Sequence, residues 1–360
     1  MCVDVRSSEK MTEADSKATS HLFVVMTTAQ TNQLQSTGAD TLTSSPGAGF
    51  YFRCAVVVIG LVGAVANGLI LYAMIASKQH KKHLLIFNQN VFDLCSSLVL
   101  VTTYTLKLCN IRLSGVLGYW LCMMLLSENL LWCSINGSVI NLLSITVERY
   151  LKVVHPARSN ILLRKWVIWS AVVFSWIAGV VYNMVMGFFT TAVIDQVCYG
   201  YAVWNSRVAA VIHGVWNFIT FFVIVVCFFI FCYGRILFVI RRQASVMAHH
   251  STHSSSTSQA HSYQIQSNVV KTMILVSALY VISAMPQYVY YLLANVNTHF
   301  TFHDSGYYII MFITFLYICA NPFIYASKFD PVRRILLDLI PCKKSQQVGG
   351  PYEMSGSRTV

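Results

Sequence analysis

The chain has 360 residues, of which 56% are hydrophobic, 13% aromatic and only 11% charged. Soluble domains carry about 25% charged residues, so a soluble protein of this length would lack the charge that its surface needs. Lysine and arginine outnumber aspartate and glutamate by 25 to 13. A nucleic-acid-binding protein is basic and polar, however, whereas this chain is basic and apolar. The composition therefore predicts a membrane protein and excludes nucleic acid as its partner.

Seven apolar stretches are long enough to cross a lipid bilayer. A helix that spans the hydrocarbon core, about 30 Å thick, needs about 20 mostly apolar residues. Backbone amides in lipid must be satisfied within the segment, so these stretches are helices. They predict an all-α membrane protein, a seven-transmembrane helix bundle, whose first to seventh spans are roughly 52–76, 84–106, 120–146, 166–189, 208–240, 269–294 and 306–326.

The charges outside the spans orient the chain. If residues 1–48 are extracellular, basic and acidic residues balance on that side, and most lysines and arginines lie on the other. The positive-inside rule then predicts a multi-pass plasma-membrane protein with its N-terminus outside and its C-terminus in the cytoplasm.

Three polar segments flank or interrupt the membrane domain, which we place at 49–342. Residues 1–48 are rich in Ser and Thr, have no apolar run typical of a signal peptide, and are expected to be a disordered tail. Residues 243–262 are rich in Ser, His and Gln and are expected to form a flexible third cytoplasmic loop. Residues 343–360 are expected to be a disordered cytoplasmic tail.

Polar residues at particular depths distinguish this chain from other seven-helix proteins. The third span ends in Glu148-Arg149-Tyr150, and the seventh contains Asn321-Pro322 followed by Tyr325. With Asn67, Asp93, Trp176 and Pro286, this ordered set resembles the rhodopsin-like (class A) G-protein-coupled receptors over about residues 52–342, closest in character to the peptide receptors. The resemblance implies an extracellular ligand, activation of heterotrimeric G proteins, arrestin and receptor kinases as further partners, and a short amphipathic eighth helix, here up to Ile340. No nucleophile–base pair or metal-ligand spacing indicates an enzyme.

Asp93 is an acidic residue in the middle of the second span. A carboxylate there is costly and usually faces the bundle interior with a partner. The resemblance implies a polar pocket with Asn67, Asn321 and Ser138 that can hold an allosteric sodium ion, and Ser134 lies one turn before Ser138. The alternative is a polar cluster that only joins helices by hydrogen bonds. No other metal and no cofactor is expected.

At the cytoplasmic end of the third span, the resemblance implies a switch for G-protein coupling. Glu148 would hold the Arg149 guanidinium in the inactive receptor, and Arg149 would meet a G-protein helix after release. Gln266 stands where many members have a glutamate that bridges to this arginine, so a weaker inactive latch is predicted. The expected coupling residues are Glu148, Arg149, Tyr150, Tyr233, Asn321, Pro322 and Tyr325.

The cysteines of the chain differ in expected role. Cys122 and Cys198 match the family disulfide, although Cys122 lies 27 residues before the arginine of the third span, two more than in most members. A pairing that involves Cys109 or Cys54 is the alternative. Cys342, beside two lysines, resembles a palmitoylation site.

The outer half of the bundle determines which ligands are expected. Amine receptors have an aspartate where this chain has Leu131, and opsins have a lysine where it has Phe315, so neither an amine nor covalent retinal is expected. Mostly aromatic walls suit a peptide or a neutral organic ligand. The expected ligand-binding residues are Glu128, Leu131, Trp132, Gln287, Tyr288, Tyr291, Tyr308 and Phe312. The alternatives are an interfacial tyrosine belt and, for Glu128, an exposed carboxylate near a loop.

Two departures from the family pattern leave other functions open. Ala284 replaces the tryptophan that is usually assigned to sensing ligand, and Val225 replaces the proline of the fifth span. A receptor-like protein without ligand-driven signalling (constitutive, a scavenger or a heterodimer partner) is therefore an alternative. A transporter would need charged residues near mid-membrane on several helices, and only Asp93 fits.

Overall fold

The structure, a computed structural model, describes residues 47–200, 206–250, 257–297, 305–328 and 330–338. Within these ranges, seven helices are long and apolar enough to cross a membrane, which confirms the predicted seven-span helical architecture. The spans, in order, are Ala48–Ala76, Leu84–Leu108, Gly115–Val154, Lys165–Thr190, Arg207–Gln243, Ser267–Val296 and Ser305–Ser327.

Shorter elements lie between and after the spans. They are the 3-10 turn Gln79–Lys81, the helices Pro156–Leu162 and Asp330–Asp338, and the strands β1 Ala192–Ile194 and β2 Val197–Tyr199. The strands pair antiparallel, with Val193 opposite Cys198. Asp195 and Gln196 between them have φ of 50° and 65°, the left-handed conformation that a tight two-residue hairpin turn requires. The helix Asp330–Asp338 lies within the stretch in which the sequence predicts an eighth helix.

The helices of the fifth and sixth spans continue beyond their apolar parts. The helix Ile224–His250 of the fifth span ends at His250, and the helix Thr257–Val296 of the sixth span begins at Thr257. Both therefore extend into 243–262, where a flexible loop was expected. Neither extension contains Gly or Pro, so no residue type interrupts the helical backbone, which satisfies its own hydrogen bonds outside the bilayer.

The third span lies at the centre of the bundle and packs against the second, fourth, fifth and sixth spans. Its approach to the fourth span depends on glycine, because a Cβ on Gly179 would lie 2.5 Å from the carbonyl oxygen of Cys133. Small residues let membrane helices approach closely. Trp176 of the fourth span donates from Nε1 to Oδ1 of Asn88 on the second, at 3.0 Å. This packing fixes the depth of the polar residues described next.

The exterior of the bundle is apolar and its interior contains polar residues. Large apolar side chains such as Phe174, Phe189 and Phe231 are exposed, whereas Asp93 and Asn321 are buried. Soluble monomers rarely expose apolar surface on this scale. The distribution is that of a protein whose outer face is solvated by lipid tails.

Candidate functional site

A buried polar cluster joins the second and seventh spans at mid-depth. Asn321 donates from Nδ2 to Oδ2 of Asp93 at 2.9 Å, and both residues are almost completely inaccessible. Asn67 of the first span donates to the carbonyl oxygens of Gly63, at 2.9 Å, and Ile318, at 3.3 Å. The predicted association of Asp93 with Asn321 is therefore present in the structure.

Two amide oxygens of this cluster lack a donor. Oδ1 of Asn67 and Oδ1 of Asn321 are both buried without a hydrogen-bond partner among the described residues. Buried oxygens are normally satisfied by a donor, an ordered water or a cation. A carboxylate with amide oxygens is the kind of ligand set that a hard cation prefers. The residues thus fit a small cation at Asp93.

The two serines expected at the pocket have different partners. Ser138 accepts a hydrogen bond from the Gln89 amide, and Gln89 lies beside the Asp93 carboxylate. Oγ of Ser134 accepts a hydrogen bond from the Ser96 hydroxyl at 2.8 Å and donates to the Phe92 carbonyl at 3.1 Å. Ser138 is thus linked to Asp93 through Gln89, a residue that the sequence analysis missed, and Ser134 joins the second and third spans one turn away.

At the cytoplasmic end, the Arg149 guanidinium has two acceptors through one nitrogen. Its Nη2 lies 3.4 Å from Oε2 of Glu148 and 3.3 Å from Nδ1 of His83. The other Glu148 oxygen pairs with Lys152. Nε of Arg149 is buried without a partner in the described part of the chain. The adjacent carboxylate expected from the sequence is therefore shared between two cations, and a histidine supplies the second contact.

His83 was not identified by the sequence analysis. It precedes the second span, between the 3-10 turn and Leu84. Burial, and then the positive charge of Arg149, lower the pKa of His83 from 6.5 to about 4. The imidazole is therefore neutral at physiological pH. Its contact with Arg149 joins the loop before the second span to the end of the third span. These elements are distant in sequence, so no local pattern could have revealed the contact.

The other expected coupling residues lie in two places. Tyr233 of the fifth span bonds Oγ1 of Thr146 at 3.0 Å and Oγ of Ser277 at 2.9 Å, so it joins three spans. Tyr150 instead packs its ring against His155 and Phe231 at the bundle surface.

The Asn-Pro-x-x-Tyr segment of the seventh span is helical. Pro322 lies inside the helix Ser305–Lys328. The hydroxyl of Tyr325 is buried and has no hydrogen-bond partner among the described residues. The Tyr325 side chain can thus move to a position with a hydrogen-bond partner without breaking a hydrogen bond of its hydroxyl.

The outer part of the third span is interrupted, which explains the unusual position of Cys122. A π-helical turn, Cys122–Leu126, precedes a break where Glu128 has φ of 64°. Nδ2 of Asn129 donates to the Met123 carbonyl at 2.7 Å and so closes the break. The wide turn and the left-handed residue accommodate the two extra residues. Cys122 consequently still reaches Cys198 in β2, and the two form the expected disulfide.

Glu128 is neither an exposed carboxylate nor a free anchor. Oε1 accepts from the Tyr104 hydroxyl at 2.9 Å and pairs with Nζ of Lys107 at 2.5 Å. Nη1 of Arg53 donates to the Lys107 carbonyl at 3.0 Å. The carboxylate therefore joins the break in the third span to the end of the second span, and its charge is neutralised within the protein.

Three expected ligand-binding residues surround one small cavity. Trp132, Gln287 and Tyr288 line it together with Ala284. Its volume is about 20 Å³, room for about one water molecule. The alanine does not leave a tryptophan-sized hole, because Tyr280, Tyr288 and Tyr317 pack in the same core cluster.

The remaining expected ligand residues lie in other environments. Leu131 is fully buried in a cluster with Phe315. Tyr308 stacks on Phe52 with ring centroids 4.8 Å apart, and Phe312 is partly buried. Tyr291 bonds Nδ1 of His213 at 3.0 Å. These residues therefore do not converge on the Trp132 cavity.

The fifth span contains a second π-helical turn, Phe218–Val223. It forms although Val225 replaces the family proline. Tyr280 of the sixth span donates its hydroxyl to the carbonyl oxygen of Phe221 at 2.8 Å. The Phe221 carbonyl in the wide turn thereby accepts a hydrogen bond from the sixth span. No pattern in the sequence indicates this contact.

Cys342, the expected palmitoylation site, and the side chain of Gln266 lie outside the described residues, so both predictions stay as they were. Among the residues that the structure describes, no group of three or more His, Cys, Asp or Glu is arranged to hold a metal ion.

A family model described as 7 transmembrane receptor (rhodopsin family) matches residues 66–325. The match covers well over half of the chain and includes the polar cluster, the Glu148–Arg149 pair and both π-helical turns. A search of curated protein sequences finds no match to the chain.

Proposed function

The chain belongs to the rhodopsin family of seven-transmembrane receptors, and from that membership we propose that it couples an extracellular ligand to heterotrimeric G proteins. The observation on which the proposal depends is the buried contact of Arg149 with Glu148 at the end of the central span. A buried guanidinium held there by contacts of 3.3 and 3.4 Å can be released to a partner that enters from the cytoplasm. The receptor is a two-state bundle, and a ligand shifts its population by its differential affinity for the two states.

The test is G-protein dissociation in cells that express the full chain, with a library of peptides and metabolites as ligands. Arg149→Ala is expected to abolish the response, and Arg164→Ala, which removes an exposed arginine, is expected to preserve it. If no ligand or basal signal depends on Arg149, the alternative of a receptor-like protein without ligand-driven signalling is favoured.

The proposed ligand is a peptide or a neutral small molecule. Two features support this proposal. Glu128 is already paired with Lys107, so it offers no free anion to an amine, and Leu131 is buried in an apolar cluster. Phe315 lies in the same cluster, and the seventh span contains no lysine for a retinal Schiff base.

The proposed orientation has the N-terminus outside. The disulfide between Cys122 and Cys198 supports it, because disulfides persist on the oxidising side of a membrane. Epitope tags at the two ends, probed on intact and permeabilised cells, test the proposal, since the N-terminal tag alone should be accessible on intact cells.

A sodium ion at Asp93 is also proposed, and the unpartnered oxygens of Asn67 and Asn321 support it. In thermal unfolding of the purified receptor, NaCl should raise the melting temperature more than KCl does. Asp93→Asn should remove the difference, whereas Asp195→Asn, a change in the exposed hairpin turn, should preserve it. Equal melting in both salts for the unmodified receptor would contradict a sodium site.

A further inference from the structure

Two side chains, Glu148 and His83, contact the Arg149 guanidinium among the described residues. Glu148 divides its carboxylate between Arg149, at 3.4 Å, and Lys152, which is the closer cation. The described part of the sixth span, Ser267–Val296, contains no Asp or Glu in its sequence that could supply a second carboxylate. Among the described residues, the remaining polar contact of the guanidinium is the imidazole of His83.

His83 is held rigidly enough to act as an acceptor. Its backbone nitrogen donates to the Gln79 carbonyl at 2.9 Å, and its carbonyl accepts from the Phe87 nitrogen at 2.9 Å. The backbone of His83 is thus anchored by the 3-10 turn on one side and by the second span on the other. Arginine can only donate, so Nδ1 of His83 must be the acceptor, and the imidazole must be neutral for the contact to exist.

We propose that His83 is a positioning residue that holds Arg149 in the resting receptor and releases it when the imidazole is protonated, so that acidification of the cytoplasmic side favours the active state. The proposal rests on the proposed coupling role of Arg149. A protonated ring would present a positive charge to Arg149 in place of a lone pair, and the contact would become repulsive.

The charges around the ring determine the sign of the effect. His83 faces Arg149, Glu148 and Lys152 of the third span and Lys82 of its own loop. Among these four groups, the three cations disfavour protonation in the resting structure and Glu148 favours it. Burial and Arg149 keep the pKa of His83 at about 4 there, whereas a histidine that is both hydrated and free of Arg149 titrates at about 6.5.

The released state therefore binds more protons than the resting state between these two pH values. Linkage favours it by up to about tenfold for each pH unit below about 6.5. If release also hydrates the ring, the ratio of active to resting receptor at pH 5.5 should be up to about ten times its value at pH 7.4. If the active state starts at about 1% of molecules, it should reach up to about 9%.

Two measurements on the full-length chain test the proposal. The first is basal G-protein dissociation in membrane fragments whose cytoplasmic face is open to the buffer, at pH 7.4 and 5.5. The second is the signal of a fluorophore on Arg242→Cys in the purified receptor, with the exposed Cys109 and Cys227 replaced by serine. This signal reports opening of the cytoplasmic face without any G protein.

Three histidine variants separate the proposal from a merely structural role. His83→Ala removes the acceptor of a hydrogen bond from a charged group and should raise opening about tenfold at pH 7.4. His83→Asn keeps an acceptor at the Nδ1 position without a titrating ring, so it should resemble the unmodified receptor at pH 7.4 and show no response to acid. His80→Ala changes the other histidine of the same loop, which contacts the Met74 carbonyl, and should retain the acid response.

The outcomes distinguish this proposal from the coupling proposal. If the fluorophore signal responds to acid only while His83 is present, the proposal stands, even if no G-protein signal depends on Arg149. If opening is equal in the unmodified receptor, His83→Ala and His83→Asn at both pH values, the proposal is overturned. An acid response that survives in His83→Asn would overturn it as well, because another group would then be the proton acceptor.

Discussion

The ion pair between Lys107 and Glu128 leads to an asymmetric prediction for stability. The Lys107 side chain is 24% exposed and that of Glu128 10%. After Lys107→Met, the buried carboxylate would keep only the Tyr104 hydroxyl as a donor among the described side chains. After Glu128→Gln, the lysine could extend its ammonium group into water. Loss of the lysine should therefore cost more than loss of the carboxylate.

The magnitude follows from the burial of the pair. Loss of one partner costs about 3–5 kcal/mol in a fully buried pair, and exposed pairs contribute about 0.2–1 kcal/mol. The partial exposure of Lys107 places this pair between those limits. We expect a loss of about 2–3 kcal/mol for Lys107→Met and about 1 kcal/mol for Glu128→Gln. At about 2–4 °C per kcal/mol, these correspond to falls in Tm of about 8 °C and about 3 °C.

Thermal unfolding of the purified receptor, followed by tryptophan fluorescence, measures these shifts. The double variant should lose less than the sum of the two single losses, because neither charge is then left unpaired. Lys165→Met removes an exposed lysine and should leave Tm unchanged. Equal losses in the two single variants, or additive losses in the double variant, would refute the assignment of a partly buried pair.

Two further variants, with Gly234→Ala as a control, test the contacts that adjoin the two π-helical turns. Asn129 closes the break in the third span, and Gly187→Ala would place a Cβ 2.0 Å from its Nδ2, so Tm should fall by several degrees. A Cβ at Gly234 meets no neighbouring element within 4 Å, so Gly234→Ala should preserve or slightly raise Tm. Equal shifts in the two variants would contradict this packing. Tyr280→Phe removes only the hydroxyl that bonds the Phe221 carbonyl, a bond worth about 1 kcal/mol. Basal G-protein dissociation should then rise about fivefold, and an unchanged basal signal would show that this bond does not favour the resting state.

Spacing along the chain was sufficient for some of the site but not for all of it. Asp93 and Asn321 could be paired from the sequence, because both are polar residues at similar depth in apolar helices and the family pattern places them together. Glu128 could not be assigned correctly. Its environment depends on a local break in the third span and on Lys107, which belongs to the preceding span.

The sequence by itself determined the seven helices, because each apolar stretch must satisfy its backbone hydrogen bonds internally whatever surrounds it. It also determined the chemistry at particular depths, such as Asp93 at mid-membrane and Arg149 at one end. Only the tertiary structure decided which groups form hydrogen bonds and ion pairs. Examples are His83 with Arg149 and the Tyr280 hydroxyl with the Phe221 carbonyl. Such contacts join residues from different elements, and their geometry is set by packing between helices and not by periodicity within one of them.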